Sequence, residues 1–379
     1  MALNLDLERY LRELEIIVNI DSGQGNPEGI TAVGNFFADR VEKMSWIVEK
    51  YDLRPNTGNC TVVKNREADR YDLMLIGHVD TVFSKGEAEK RPFRRDEENC
   101  YGVGVIDMKQ GCLSMLHILE ALPKEANDAL NIVAIFNPDE EVFSPWSGPI
   151  LDRYAALCDK IFVFEAGGSN GAVTVERKGS TTLSVDIIGK AGHAGYMLEK
   201  PFLSSVTEAV HWINTLHAFH SKETNTSVNV GVFHAGERKN IVAPLAHVEW
   251  DIRYSNPEIR EKLDACIEEL KHHAKAGGYG VEILTHRSSP ALIPTEKTLA
   301  YVERMRGVAE RMGRPFSLKK RGGLSDANHM SKFCDVCVDS LGPTGNFDHS
   351  DKEYLAIDTI EPYTEFAYEL ILALAKDKL

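Results

Sequence analysis

Leu73-Met74-Leu75-Ile76-Gly77-His78-Val79-Asp80 is the stretch that decides the fold. Four large apolar residues in a row, with no polar alternation, form a strand covered on both faces, as in a parallel sheet. The run ends on Gly77-His78, so an imidazole leaves the sheet where the strand stops. The same design recurs down the chain. Asn131 to Phe136 is a second buried strand, opening onto Asn137-Pro138-Asp139-Glu140-Glu141, and Ile161 to Phe164 is a third, opening onto Glu165-Ala166-Gly167-Gly168. Between the first two, the turn Tyr101-Gly102-Val103-Gly104-Val105-Ile106-Asp107 leads into a helix from Lys109 to Leu122, with Leu113, Leu116, Ile118 and Leu119 on its inner face. Upstream lie an amphipathic helix over Met1 to Ile17, a helical pattern over Ile30 to Met44, and short strands at Ile47 to Tyr51 and Cys60 to Val63. Strands alternating with helices predict an α/β fold: a twisted, mostly parallel sheet with helices on both faces.

Near Glu176 the pattern changes. Strand signals at Thr181 to Ile188, Ser227 to Phe233, His247 to Tyr254 and Val281 to Thr285 alternate with helices at Leu203 to His220 and Pro257 to Ala276. Four strands and two helices in that order form an antiparallel, ferredoxin-like α+β unit. After Pro290 the chain resumes helix, strand and helix, and the polar loop from Gly342 to Asp351 carries His349. Since His349 belongs with the early carboxylates, residues 177–289 are read as an insertion into a domain made of 1–176 and 290–379.

Composition excludes several function classes. A net charge of -14 argues against nucleic acid or an anionic membrane as partner. No apolar run approaches the length of about 20 residues that spans a bilayer, and the first residues have no signal-peptide pattern. Seven dispersed cysteines fit reduced thiols in a cytoplasm, not a disulfide framework. The one C-x-x-C, Cys334 and Cys337, has no second pair, and Val336, Val338 and Leu341 alternate around it as in a buried strand, which favours structural thiols over a zinc knuckle. The glycine-rich turn before Asp107 lacks the spacing and the Gly-Lys-Ser/Thr end of a phosphate loop.

His78, Asp107, Glu140, Glu141, Glu165 and His349 thus sit at strand ends or in turns just after them, where an open α/β sheet builds its site. Imidazole and carboxylate are the donors of a metal-dependent hydrolase. Taken singly, each has a plainer reading. One histidine among 13 is more often a surface or satisfied residue, paired glutamates can decorate a helix N-terminus, and Asp107 can cap the helix after it. The conjunction reverses those odds.

Gly77-His78-Val79-Asp80-Thr81-Val82, Gly104-Val105-Ile106-Asp107-Met108-Lys109, Asn137 to Glu141, Phe164-Glu165, Gly189-Lys190-Ala191-Gly192-His193-Ala194-Gly195 and Asp348-His349-Ser350-Asp351 resemble, in order, the motifs of the co-catalytic zinc peptidases. That family includes glutamate carboxypeptidase, aminoacylase and succinyl-diaminopimelate desuccinylase, and the likeness is greatest to the first. Asn240-Ile241-Val242-Ala243-Pro244 and Asp251-Ile252-Arg253-Tyr254 extend it into the inserted unit. The resemblance implies two zinc ions per chain, with cobalt or manganese as substitutes: His78 and Glu165 on one, Glu141 and His349 on the other, Asp107 shared between them. Asp80 would orient His78, and Glu140 would be the general base.

The resemblance further implies a homodimer formed through the inserted unit, with His193 reaching the partner's site to stabilise an oxyanion; the plainer reading is an exposed turn histidine. Arg253, Asn240 and backbone groups near Gly323 would hold a free carboxylate of the substrate, although Arg253 could equally form an ion pair with Glu249 or Asp251. Arg287 is a weaker second candidate. The expected substrate is a small peptide or N-acyl amino acid with an amide next to a free α-carboxylate, and the expected product a C-terminal amino acid such as glutamate. Aminoacylase and dipeptidase activities are the alternatives, with a non-catalytic binding protein on the same scaffold behind them. The chain departs from the family pattern at Val142 to Gly148, where Phe143 and Trp146 either line the pocket or pack under a loop, and at Gln110 and Leu324. These departures spare the metal ligands and bear on substrate identity.

Overall fold

The computed structural model describes residues 3–378. Its central sheet has the strand order Ile47–Asp52, Asn59–Lys64, Ile132–Asn137, Leu73–His78, Ile161–Val163, Cys337–Val338. Leu73–His78 lies in the middle, parallel to both neighbours, and Cys337–Val338 continues the parallel set. The two outer strands on the other side run antiparallel. Every residue of Leu73–His78 and Ile132–Asn137 is buried, as their unbroken apolar runs require. His78 is in register with Asn137. The three central strands therefore release their chains at one edge, and it is this edge that collects the polar residues.

The helices seal the sheet. Phe37 of the helix Pro27–Glu42 stacks on Phe136 of the sheet, with ring centroids 4.4 Å apart and planes 6° from parallel. Deleting such a buried ring costs about 3–5 kcal/mol. This helix starts ahead of Ile30 because Pro27 fills a first-turn position, where its missing N–H costs nothing. The helix Gln110–Ala121 is buried along nearly its whole length and is entered through an irregular turn, Val105–Lys109, that carries Asp107. A small second sheet, in the order Gly345–Asn346, Tyr354–Ala356, Asn99–Tyr101, Arg94–Arg95, lays the His349 loop beside that turn. The N-terminal helix is Leu7–Val18; Met1 and Ala2, which the sequence reading included in it, lie outside the described residues. All seven cysteines are free thiols, buried except for half-exposed Cys266. Among the described residues no helix is long and apolar enough to cross a membrane.

The chain divides into two compact units. One runs up to Glu176 and includes Pro294–Lys320 and everything from Ser325 onward; the other is Arg177–Ile293 together with Arg321–Leu324. The short second piece joins Arg177–Ile293 through hydrogen bonds: Lys178 N donates to Arg321 O, and Arg177 Nη1 to Gly323 O and Leu324 O, each at 3.1 Å.

Within this unit four antiparallel strands take the order Ser227–Ala235, Leu245–Tyr254, Gly179–Ile188, Gly280–Ser289. With the helices Ser205–His217 and Pro257–Ala276 this is the ferredoxin-like arrangement. Strict alternation builds its core: Ala246, Val248, Trp250, Ile252 and Tyr254 are buried, while His247, Glu249, Asp251 and Arg253 occupy the opposite face.

Candidate metal centre

Strand ends and one loop bring seven of the expected residues together within the first unit: His78, Asp80, Asp107, Glu140, Glu141, Glu165 and His349. His78 Nδ1 lies 3.0 Å from the backbone oxygen of Asp80. That oxygen can only accept, so Nδ1 carries a proton and Nε2 is turned into the cluster. There Nε2 is 3.0 Å from Asp107 Oδ1, 3.6 Å from Glu165 Oε1 and 3.9 Å from Glu140 Oε2. His349 comes from the loop between Gly345–Asn346 and Tyr354–Ala356, its backbone in the left-handed region at φ +60°. Its Nε2 is 3.0 Å from Asp107 Oδ2 and 3.3 Å from Glu141 Oε2. The two oxygens of Asp107 thus face two different imidazoles. Two overlapping donor groups follow, His78, Asp107 and Glu165 in one and Asp107, Asp348 and His349 in the other.

Asp80 does more than the sequence suggested. Its carboxylate is 3.4 Å from His78 Nδ1, and its shorter bonds go to the Glu140-Glu141 turn: Glu140 N donates to Oδ1 at 3.1 Å and Glu141 N to Oδ2 at 3.0 Å. Gln24 Nε2 donates to the same Oδ2 at 2.9 Å. A single buried carboxylate therefore ties the first strand end to the second. Glu140 and Glu141 belong to a single short turn, Glu140–Val142, rather than to the start of a long helix.

The donor set fits divalent cations. Asp80, Asp107, Glu140, Glu141 and Glu165 crowd around two imidazoles. Burial drives the Glu140 carboxyl well above its usual range and Glu141 up to about 7. His349 is pushed up to about 11 by hydrogen bonds to Asp107 and Glu141, and His78 rises because Asp107 and Asp80 outweigh its burial. Asp107 stays low, since the two imidazoles overcome the effect of its burial. Glu141 Oε1 is buried and has no hydrogen-bond partner among the described residues. Such an orphaned oxygen at a carboxylate-rich centre is what a cation would complete.

The other expected residues lie in the inserted unit. His193 is exposed, in the two-residue strand Gly192–His193 that pairs with Ile241–Val242, and its Nδ1 accepts from Gly195 N at 3.1 Å. Asn240 is exposed on a loop, its backbone oxygen accepting from Ala194 N at 3.0 Å. Arg253 grips Asp251, two residues earlier on its own strand, through Nε–Oδ1 and Nη2–Oδ2 contacts of 2.8 Å each. Gly323 offers its carbonyl to Arg177, and Arg287 is exposed.

Sequence reasoning missed the groups that hold the ligand-bearing turns. Asn137 Nδ2 donates to Ser144 Oγ at 2.8 Å and to Asp326 Oδ2 at 2.7 Å, while Ser144 Oγ donates to Asp326 Oδ1 at 2.8 Å. Ser144 does this at φ +50°, beside Phe143 at φ +69°. The loop from Val142 to Gly148 is thus anchored by its serine, and Phe143 and Trp146 remain partly exposed, at 41% and 36%. Burial pushes Asp326 up to about 6. Glu353, four residues past His349 and just ahead of the strand Tyr354–Ala356, was missed as well.

Comparison with known proteins agrees with this architecture. Carboxypeptidase G2 of Pseudomonas sp. (strain RS-16) is 30% identical over 373 residues, covering 97% of this chain and 90% of that one. Succinyl-diaminopimelate desuccinylase of Azoarcus sp. (strain BH72) is 23% identical, covering 89% and 91%. Among solved structures, the aminopeptidase PepT of Bacillus cereus ATCC 10987 superposes with a TM-score of 0.78 at 20% identity over 98% of this chain and 99% of that chain, a likeness of fold. Peptidase family M20/M25/M40 matches residues 74–373, and the chain belongs to that family of metal-dependent hydrolases of peptide and amide bonds.

Proposed function

We propose that the protein is a dizinc carboxypeptidase-type amidohydrolase that cleaves an amide next to a free α-carboxylate and releases a C-terminal amino acid such as glutamate. The observation that carries this reading is Asp107, whose two oxygens stand 3.0 Å from His78 and 3.0 Å from His349. A carboxylate so placed between two imidazoles is suited to bridge two cations. His78 with Glu165, and His349 with Glu141, complete the two sets. A pair of bound divalent ions would supply Lewis acidity at the scissile carbonyl and lower the pKa of the attacking water.

The chain's own groups do the rest. Glu140 sits beside the cluster, 3.9 Å from His78, its backbone fixed by Asp80. From there it takes the proton of the attacking water and returns it to the departing amine. Arg253, Asn240 and the backbone near Gly323 hold the substrate's carboxylate, which requires Arg253 to exchange Asp251 for the ligand. His193 serves the oxyanion of a partner subunit in a homodimer joined through the inserted unit. The setting is a reducing cytoplasm, consistent with seven free thiols. The 30% identity to carboxypeptidase G2 supports the carboxypeptidase reading ahead of aminoacylase or dipeptidase chemistry. Amino acid release over a panel of N-acyl glutamates, other N-acyl amino acids and dipeptides tests it. Preference for substrates lacking a free α-carboxylate would overturn the reading.

A further inference from the structure

The turn Tyr101 to Asp107 is no phosphate loop, yet it is shaped to hold an anion. Gly102 at φ +148° and Gly104 at φ +69° swing the backbone so that the N–H groups of Gly104, Ile106 and Asp107 converge. Successive N–H groups turned to one side by a left-handed residue form a concave anion nest. Only glycine suits the pivot, because a Cβ at Gly104 would come within 2.5 Å of Thr81 Cγ2. The anion is the protein's own. Glu353 Oε2 accepts from Gly104 N at 3.1 Å, and Oε1 accepts from Ile106 N at 2.8 Å and Asp107 N at 3.2 Å. The residue is only 2% exposed. It lies four positions beyond His349, entering a strand that pairs with Asn99–Tyr101 immediately ahead of the turn.

We propose that Glu353 is a positioning residue for the metal centre: seated in the nest, its carboxylate fixes the backbone that aims Asp107 at both imidazoles and couples the His349 loop to the Asp107 turn. The inference rests on the reading of Asp107 as a shared ligand. Its physical basis is acceptor capacity. An ionised carboxylate offers two accepting oxygens to three donors, whereas a glutamine amide offers one and would turn its NH2 against a backbone N–H. Glu353→Gln, nearly the same size, therefore breaks the nest without opening a cavity. Groups that orient metal ligands typically contribute 10- to 100-fold in metal affinity.

The test compares wild type with Glu353→Gln, both stripped of metal. Hydrogen exchange is followed at the amides of residues 104–107, thermal midpoints are recorded, and zinc is titrated against a chromogenic chelator. The expected result is faster exchange at Ile106 and Asp107 and a fall of about 10- to 100-fold in zinc affinity. A lower thermal midpoint with unchanged zinc affinity would mean a merely structural role and would overturn the proposal. Affinity lost without faster exchange at those amides would overturn it too, since Glu353 would then not act through the nest. Should Glu353→Gln fail to fold, Glu353→Asp, which keeps the charge but shortens the reach, decides on the same readouts in the same way. Failure of wild type itself to take up two zinc ions would instead refute the reading on which the inference rests.

Discussion

The strand edge of the first unit and the polar face of the inserted unit carry their candidate residues in opposite ways. At the strand edge the side chains are desolvated and cross-braced: His78 is 1% exposed and Asp80 fully buried, with Asp80 bonded to the backbone of both Glu140 and Glu141. In the inserted unit His193 and Asn240 are exposed, and Arg253 is half-buried and occupied by Asp251. On the proposed function, the contrast follows from what each would bind. A cation needs several charged donors held close together, and the repulsion among them is tolerable only if the scaffold fixes them beforehand. A substrate carboxylate brings its own charge, so its receptor can stay hydrated or paired until the ligand arrives.

If that division is right, the deepest loss comes from the strand edge. Asp107→Ala removes the shared ligand, and metal analysis should show fewer than two ions per chain with turnover at background; retention of both ions would break the shared-ligand scheme. Treating wild type with a strong chelator should likewise abolish activity, and zinc should restore it. Next in size, Glu140→Gln should keep its zinc while turnover falls by about 10² to 10⁴-fold. Glu141→Gln should instead weaken zinc binding, because its buried Oε1 has no hydrogen-bond partner among the described residues and a cation would complete it. Equal zinc loss in the two variants would show that the adjacent glutamates do not divide their roles.

The same contrast explains what could be read from the sequence. His78, Glu140-Glu141 and Glu165 were legible because each terminates an apolar run, and a buried parallel strand has a one-dimensional signature. The order of the inserted unit's strands and helices was legible for a similar reason. Long-range polar contacts leave no such mark. Nothing local in Ser325-Asp326 says that the carboxylate will meet Asn137 and Ser144 across the fold, or that Glu353 will fill the turn before Asp107. The plain reading of Arg253 as an ion pair with Asp251 describes the structure without substrate, whereas the recognition role proposed for it concerns a state that a substrate must create.

His193 tests the inserted unit's side of the comparison, with a smaller effect. Loss of an oxyanion donor costs about 10² to 10³ in rate, so His193→Ala should lower kcat by that much and leave zinc content intact. If the donor is supplied in trans, mixing His193→Ala with Glu140→Gln and allowing subunits to exchange should restore part of the activity, because one site in each heterodimer keeps both groups. No recovery despite demonstrated exchange would confine His193 to another role, and a fully active monomer would remove the premise.

The smallest expected change is also the most discriminating for recognition. Arg253 holds Asp251 in a two-point contact at 2.8 Å, on a strand face that is only partly buried. An exposed ion pair of this kind contributes little to stability, about 0–1 kcal/mol, so neither partner is needed for folding. A charge-assisted bond to a substrate carboxylate is worth about 1.5–3 kcal/mol. Arg253→Ala should therefore raise KM about 10- to 100-fold, with a thermal midpoint close to wild type. Asp251→Ala frees the guanidinium from its resting partner and should leave KM unchanged or lower it. If the two substitutions raise KM alike, the pair acts as one structural unit and the carboxylate receptor lies elsewhere on the chain.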